Sequence, residues 1–457
     1  MTRSIHHGEY SETPSSLDSR SGVRQRELVR RLPTLFVLTL VSTCSLAPSA
    51  SAQPRTEHDR LQFDLSLYQG RELGRAVAMS QGEIATDMQG DGIDTVLHWG
   101  QLFGSQTYRV VDSHDAVEGD TVALSASGGR FVWAYGLPSV ASGDAVEYLD
   151  ENMLPVDLGA PPKSIAVSGS VMAVGVAPNR VAIYRRLQVP NRGLFVWVLD
   201  DELSGGLFVD YGRAVALSDD GDVLAIGAPG VGFGGGSNGF VEIWVRGMND
   251  WILVQTIDPP MSISSQQAAR FGSSLSMADP WLAVGAPKAD RETAGQPIVD
   301  AGQVLLYDTS ILYVHQRTLF GAAGDQLGAS VAMARSPDGS LLLVAGAPFA
   351  DQVVQTERGT SLLDQGAAVT HRWTEQADDW QPAGVLVSSG GGTAGANLGT
   401  SVATDGRRIV VGAPHADVFD GLSLYEDAGV ALVFLSDQIF ADGFETGNAS
   451  RWSAAVP

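Results

Sequence analysis

Tyr211-Gly212-Arg213-Ala214-Val215-Ala216-Leu217 opens a stretch that passes through Asp219-Asp220-Gly221 to Val223-Leu224-Ala225-Ile226-Gly227-Ala228-Pro229. Two short apolar runs around an Asp/Gly turn read as a β-hairpin, because Asp and Gly adopt the turn conformations and branched residues favour extended backbone. The same stretch returns three times. Phe271-Gly272 leads to Gly285-Ala286-Pro287, Leu327-Gly328 to Gly346-Ala347-Pro348, and Leu398-Gly399 to Gly412-Ala413-Pro414. The opening glycines at 212, 272, 328 and 399 stand 60, 56 and 71 residues apart. A repeat of this length with strand patterning predicts the blades of a propeller.

Working outward, fainter copies fill the first half. Leu73-Gly74 is one opening, Gly119-Asp120 leads to Gly136-Leu137-Pro138, and Ser164-Ile165 leads to Gly175-Val176-Ala177-Pro178. Seven units result. Within unit four the pattern predicts strands at 214–218, 223–226, 240–245 and 251–257, an antiparallel meander. Unit seven lacks a clear fourth strand, while Leu61 to Tyr68 is a spare strand ahead of unit one. The expectation is therefore an all-β, seven-bladed propeller of four-stranded antiparallel blades over 61–436, closed by that N-terminal strand.

These motifs resemble the FG-GAP repeat of the integrin α-subunit propeller and of many exported bacterial proteins. The resemblance implies a seven-bladed propeller used in adhesion or ligand binding. It also implies calcium in the turn between the first two strands of a blade, held by an Asp-x-Asp-x-Asp-Gly loop. In units four to seven that turn is too short to wrap an ion. The nearest remnant is Asp87 to Asp94 in unit one, where Asp87, Asp91 and Asp94 could supply oxygens to calcium, the one cofactor considered; an acidic surface turn is the other reading.

A net charge of -23 excludes a basic stripe for nucleic acid, and 53 glycines with only 18% charged residues suit short strands and tight turns. Arg30-Arg31, an apolar run from Leu35 to Val41 and Ala50-Ser51-Ala52 read as a secretory signal over 1–52, cleaved near Ala52, with 53–60 a linker. The apolar run is too short for a membrane span. The single cysteine, Cys44, lies in this leader, so the exported chain has no thiol and no disulfide. The reading is a secreted, periplasmic or surface-bound monomer. Its tail, 437–457, contains Asp442-Gly443-Phe444-Glu445, similar to a short sorting motif of some exported Gram-negative proteins.

In units five to seven the second and third strands are joined by long loops bracketed by Asp290 and Asp300, Asp351 and Asp364, and Asp417 and Asp427. Unit four has a long glycine-rich loop at the same place. Antiparallel alternation puts all of these loops on one face, and long loops on a rigid scaffold are where binding resides. These six aspartates are the candidate ligand contacts; capping of local turns is the competing reading. Gly235-Gly236-Ser237-Asn238-Gly239 matches the G-x-S-x-G hydrolase pattern, but it lacks the strand-to-helix turn that the pattern requires. No two histidines have metal-ligand spacing. Trp197, Trp244, Trp251, Trp373 and Trp380 suit blade-to-blade packing, with sugar stacking as the alternative. The expected function is non-catalytic binding of an extracellular protein or glycan by the loops of units four to seven. The alternatives are a glycan-processing enzyme with its site at the channel and a structural envelope protein.

Overall fold

The computed structural model describes 59–61 and 72–436, apart from 89–94, 102–107, 116–119, 128–129, 137–144, 149–155, 191, 193–194, 207–209, 231–237, 265–267, 294, 355–359, 389–392 and 420–421. Among the described residues the chain is all-β, apart from one helical turn at Met261–Ser264 and a 3-10 turn at Thr309–Ile311. It has the propeller arrangement of small four-stranded antiparallel sheets. Six of these each take four strands from one continuous unit. In unit four they are Ala214–Leu217, Val223–Ala228, Phe240–Arg246 and Trp251–Ile257, matching the strands expected there to within two residues.

A further four-stranded sheet draws on both ends of the chain. Ser401–Thr404, Arg408–Ala413 and Val430–Leu435 come from unit seven, and Asp59–Leu61 pairs antiparallel with the last of them. Of the expected strand Leu61 to Tyr68 only Leu61 is among the described residues, and it pairs; Asp59 and Arg60, in the stretch assigned to the linker, pair as well, and residues 62 to 68 lie outside the described residues. The leader and the tail lie outside them too.

The core lies between sheets. Ile243 of unit four packs with Phe271, Val284 and Leu305 of unit five, and Leu342 and Val344 of unit six pack with Ile409, Val411 and Leu432 of unit seven. Leu61 and Val433 share a cluster with Ile84 and Leu97 of unit one. Because both faces of each sheet are covered, second strands are buried along most or all of their length, completely so in Val171–Val176, Trp281–Ala286 and Leu341–Ala347. That explains why they read as continuous apolar runs and not as alternating ones.

Successive sheets meet through pairs of glycines. A Cβ on Gly227 would strike the carbonyl oxygen of Gly272, whose own φ of +88° is one that side chains resist. Gly175 meets Gly212 in the same way, as do Gly285 and Gly328, Gly346 and Gly399, and Gly412 and Gly74. A serine hydroxyl on the first strand, or just before it in unit six, donates to the same carbonyl: Ser164 to Gly212 at 2.8 Å, Ser274 to Gly328 at 2.7 Å, Ser330 to Gly399 at 2.8 Å and Ser401 to Gly74 at 2.8 Å. The second glycine of one repeat and the opening glycine of the next are therefore the two halves of one inter-sheet contact.

Replacing Gly227 with alanine should force two sheets apart and cost about 3 kcal/mol or more, read from urea unfolding. Gly159→Ala is the comparison, because its added methyl group meets nothing within 4 Å at a φ of +65°. That change should cost only about 1 kcal/mol.

Candidate binding face

The loops between second and third strands in units five, six and seven each fold into a two-stranded ribbon. The ribbons are Arg291–Thr293 with Gln296–Ile298, Gln352–Val354 with Thr360–Leu362, and Val418–Phe419 with Leu424–Tyr425. Their roots explain the candidate aspartates. The Asp290 carboxylate accepts the backbone N–H of Asp300 at 2.9 Å, Asp351 that of Asp364 at 3.1 Å, and Asp417 that of Asp427 at 3.1 Å. The structure thus joins the six residues as three pairs, one at the foot of each ribbon, and gives the first of each pair the capping role weighed above.

The second aspartate of each pair has a left-handed backbone, with φ of 50° at Asp300, 51° at Asp364 and 48° at Asp427. Aspartate tolerates this region better than most residues. A glycine follows two positions later. Gly302, Gly366 and Gly429 bridge in parallel to Leu327, Leu398 and Leu73 of the following unit. The carbonyls of Asp300 and Asp364 accept the N–H groups of Gln326 and Asn397, at 3.1 and 3.2 Å. The recurring Asp-x-Gly thus ties each ribbon to the start of the next unit. Sequence reasoning marked the aspartates but missed these glycines; their common spacing before the third strand was the available signal.

In unit four the same place is held by Asn238-Gly239. The buried Asn238 side-chain N–H donates to the Ile263 carbonyl at 2.9 Å, and the Asn238 backbone carbonyl accepts the Phe271 N–H at 2.8 Å. The end of the apparent hydrolase pattern is therefore part of the inter-unit joint; Gly235, Gly236 and Ser237 lie outside the described residues.

The ribbons carry exposed apolar side chains. Phe419 is 66% and Leu422 93% exposed, and Val299, Leu363 and Leu424 are also exposed. Charged groups lie at the ribbon feet. Lys288 pairs with Asp300 at 2.9 Å, and His415 lies 3.7 Å from both Glu72 and Asp427. Burial holds the Asp325 carboxyl above its usual range, and the negative charge of Asp351 adds to the effect.

The calcium remnant is arranged differently from expectation. Asp87 lies at the end of the second strand of unit one, Glu83–Met88, and not in the turn between the first two strands, which is Gln81-Gly82. It is fully buried and its carboxylate accepts the Ala76 N–H at 2.7 Å. Asp87 stands in the strand register where other units have the Gly of Gly-Ala-Pro. Asp91 and Asp94 lie outside the described residues, and among those described no group of three or more acidic, His or Cys side chains is placed to hold a metal.

The tryptophans pack. Trp281 of unit five meets Trp373 and Trp380 of unit six at ring-centre distances of 6.0 and 5.5 Å. Beside them, His371 is buried, near the Arg317–Asp379 ion pair, and its Nδ1 has no hydrogen-bond partner among the described residues. Burial, assisted by the Arg317 charge, lowers its pKa to about 4.

No protein-family model matches the chain, and no curated protein matches its sequence. Among solved structures it is similar to Sqt1 from Chaetomium thermophilum, with 14% identity and a TM-score of 0.46 over 84% of this chain and 100% of that one.

The buried histidine yields a pH prediction. Because its pKa is lowered by folding, the unfolded chain binds the extra proton first, so stability is lost as pH falls from about 6.5 to about 4. This one group accounts for about 3 kcal/mol across that window. In urea unfolding at a series of pH values, His371→Leu should show a correspondingly shallower decline than the unaltered protein.

Proposed function

We propose that this chain is an exported, FG-GAP-like binding module that takes a protein or glycan ligand on the ribbons of units five to seven. The observation that carries the reading is the contrast between root and tip. Each ribbon foot is fixed by an aspartate cap and, at the following glycine, by a backbone bridge to the next unit, whereas Phe419, Leu422 and Leu424 project into solvent at the end of the unit-seven ribbon. Exposed apolar side chains on loops anchored to a packed scaffold are characteristic of a contact surface. The leader-like segment 1–52 supports export, with residues 53–457 as the exported form.

The same reading makes the propeller a seven-bladed ring closed by strand Asp59–Leu61. The repeated glycine contact between Gly412 and Gly74, the Ser401 hydrogen bond to Gly74 and the pairing of 59–61 with Val430–Leu435 support it.

Two experiments test these proposals. Purified 53–457 is melted after chelation, then with calcium, then with a panel of cell-wall glycans and extracellular proteins. A ligand should raise the melting temperature, and the triple change of Phe419, Leu422 and Leu424 to serine should abolish that rise while leaving the unliganded melt unchanged. A shift that survives the triple change would place binding elsewhere. For closure, a chain beginning at residue 62 loses the buried Leu61 and its ladder, and should be less stable by about 3 kcal/mol. Equal stability would refute the latch.

A further inference from the structure

The outer strand of each sheet presents an edge whose backbone groups can pair with another chain unless something prevents it. Two of these strands are short: Val156–Asp157 and Asp59–Leu61. Others carry charge or proline. Tyr108–Asp115 contains Arg109 and Asp112, and Phe195–Ser204 contains Asp200 and Glu202. Val314–Phe320 contains Arg317, and Asp379–Leu386 contains Pro382. Trp251–Ile257, the outer strand of unit four, has neither charge nor proline along its seven residues. Its Ile252, Leu253 and Val254 are 53%, 43% and 53% exposed.

This strand also joins a wider apolar rim. The N–H of Trp251 is capped by Asp201 of the neighbouring outer strand at 2.9 Å, and that strand exposes Val198 and Leu199. A bulge places Val254 between the paired residues Leu253 and Gln255. Equivalent bulges occur in the outer strands of units one, three, five and six, so the bulge does not set unit four apart; the missing charge does.

The ends of the strand identify the occupant. Asp250 precedes it and Asp258 follows it, both exposed. Antiparallel pairing of the strand with a second copy of itself about Val254 would set Asp250 against the partner's Asp258 at both ends. Like charges placed opposite each other destabilise a strand pair. A strand with a positive charge at each end meets the opposite condition. We propose that the outer edge of unit four is a second binding site, which accepts by strand addition an extended segment of another protein with apolar, β-branched residues flanked by Lys or Arg. The bulge keeps the added ladder short, so the apolar side chains and the terminal charges carry much of the selectivity.

This site lies on a different part of the fold from the ribbons, and its test does not depend on them. The probe is a labelled peptide of alternating valine and threonine with lysine at both ends, compared with the same peptide ending in glutamate. By fluorescence anisotropy with 53–457, the lysine peptide should bind at least tenfold more tightly, and amide hydrogen exchange should slow within 251–257. The double change Asp250→Lys and Asp258→Lys should reverse the preference. Leu253→Lys, at an exposed position, should weaken the lysine peptide at least tenfold with an unchanged melting temperature. Equal binding of both peptides, no binding of either, binding unaffected by Leu253→Lys, or dimerisation of the chain through this strand in sedimentation would each overturn the proposal.

Discussion

Two glycines meeting across five of the joints between successive units set how closely those sheets of the protein can approach. At Gly227 and Gly272 the backbones of neighbouring units come so close that no side chain fits between them, and the same holds at Gly412 and Gly74. Close approach at that point lets the flanking strands press their faces together, which buries runs such as Leu341–Ala347 on both sides. The serine hydroxyl on the carbonyl of the opening glycine then satisfies a polar atom that would otherwise be buried at the joint. Unit four has Ala214 in place of that serine, so the glycine contact is the more general device and the hydrogen bond an addition to it.

A second constraint acts at the other side of each third strand. In units five to seven Asp-x-Gly turns the chain back into the sheet, and its carbonyls receive the first residues of the next unit. The first aspartate of each loop, Asp290, Asp351 or Asp417, accepts the backbone N–H of the second and so fixes the ribbon at its root. Beyond these roots the ribbons expose apolar side chains such as Val299, Leu363, Phe419 and Leu424. Rigid roots lower the ordering entropy that binding must overcome.

The two candidate surfaces follow different physics. The ribbons present side chains on an anchored loop, whereas the edge of unit four presents backbone. Its flanking aspartates act as gatekeepers against self-pairing without closing the edge to a partner of opposite charge. Among the described residues the sheets bury few ionisable groups, and one of them is His371, where burial and the nearby Arg317 charge favour the neutral form.

The amino-acid sequence by itself determined the repeat, the strand order within a blade and the recurring glycines, because close backbone approach and tight turns admit few residue types and so leave a periodic trace. Which glycines meet was decided by the fold. It also located the loops and their aspartates. Tertiary structure decided what those residues do. Whether Asp290 faces a ligand or the N–H of Asp300 depends on how a ribbon folds back on its own root, and that depends on the start of the next unit. Asp87 looked like part of a calcium turn because acidic residues cluster after it; the strand register instead puts it in a buried position that holds glycine in other units. The partner of Val430–Leu435 is likewise a matter of assembly. The strand that the structure pairs with it is Asp59–Leu61, whose Leu61 shares a buried cluster with Val433 and Ile84.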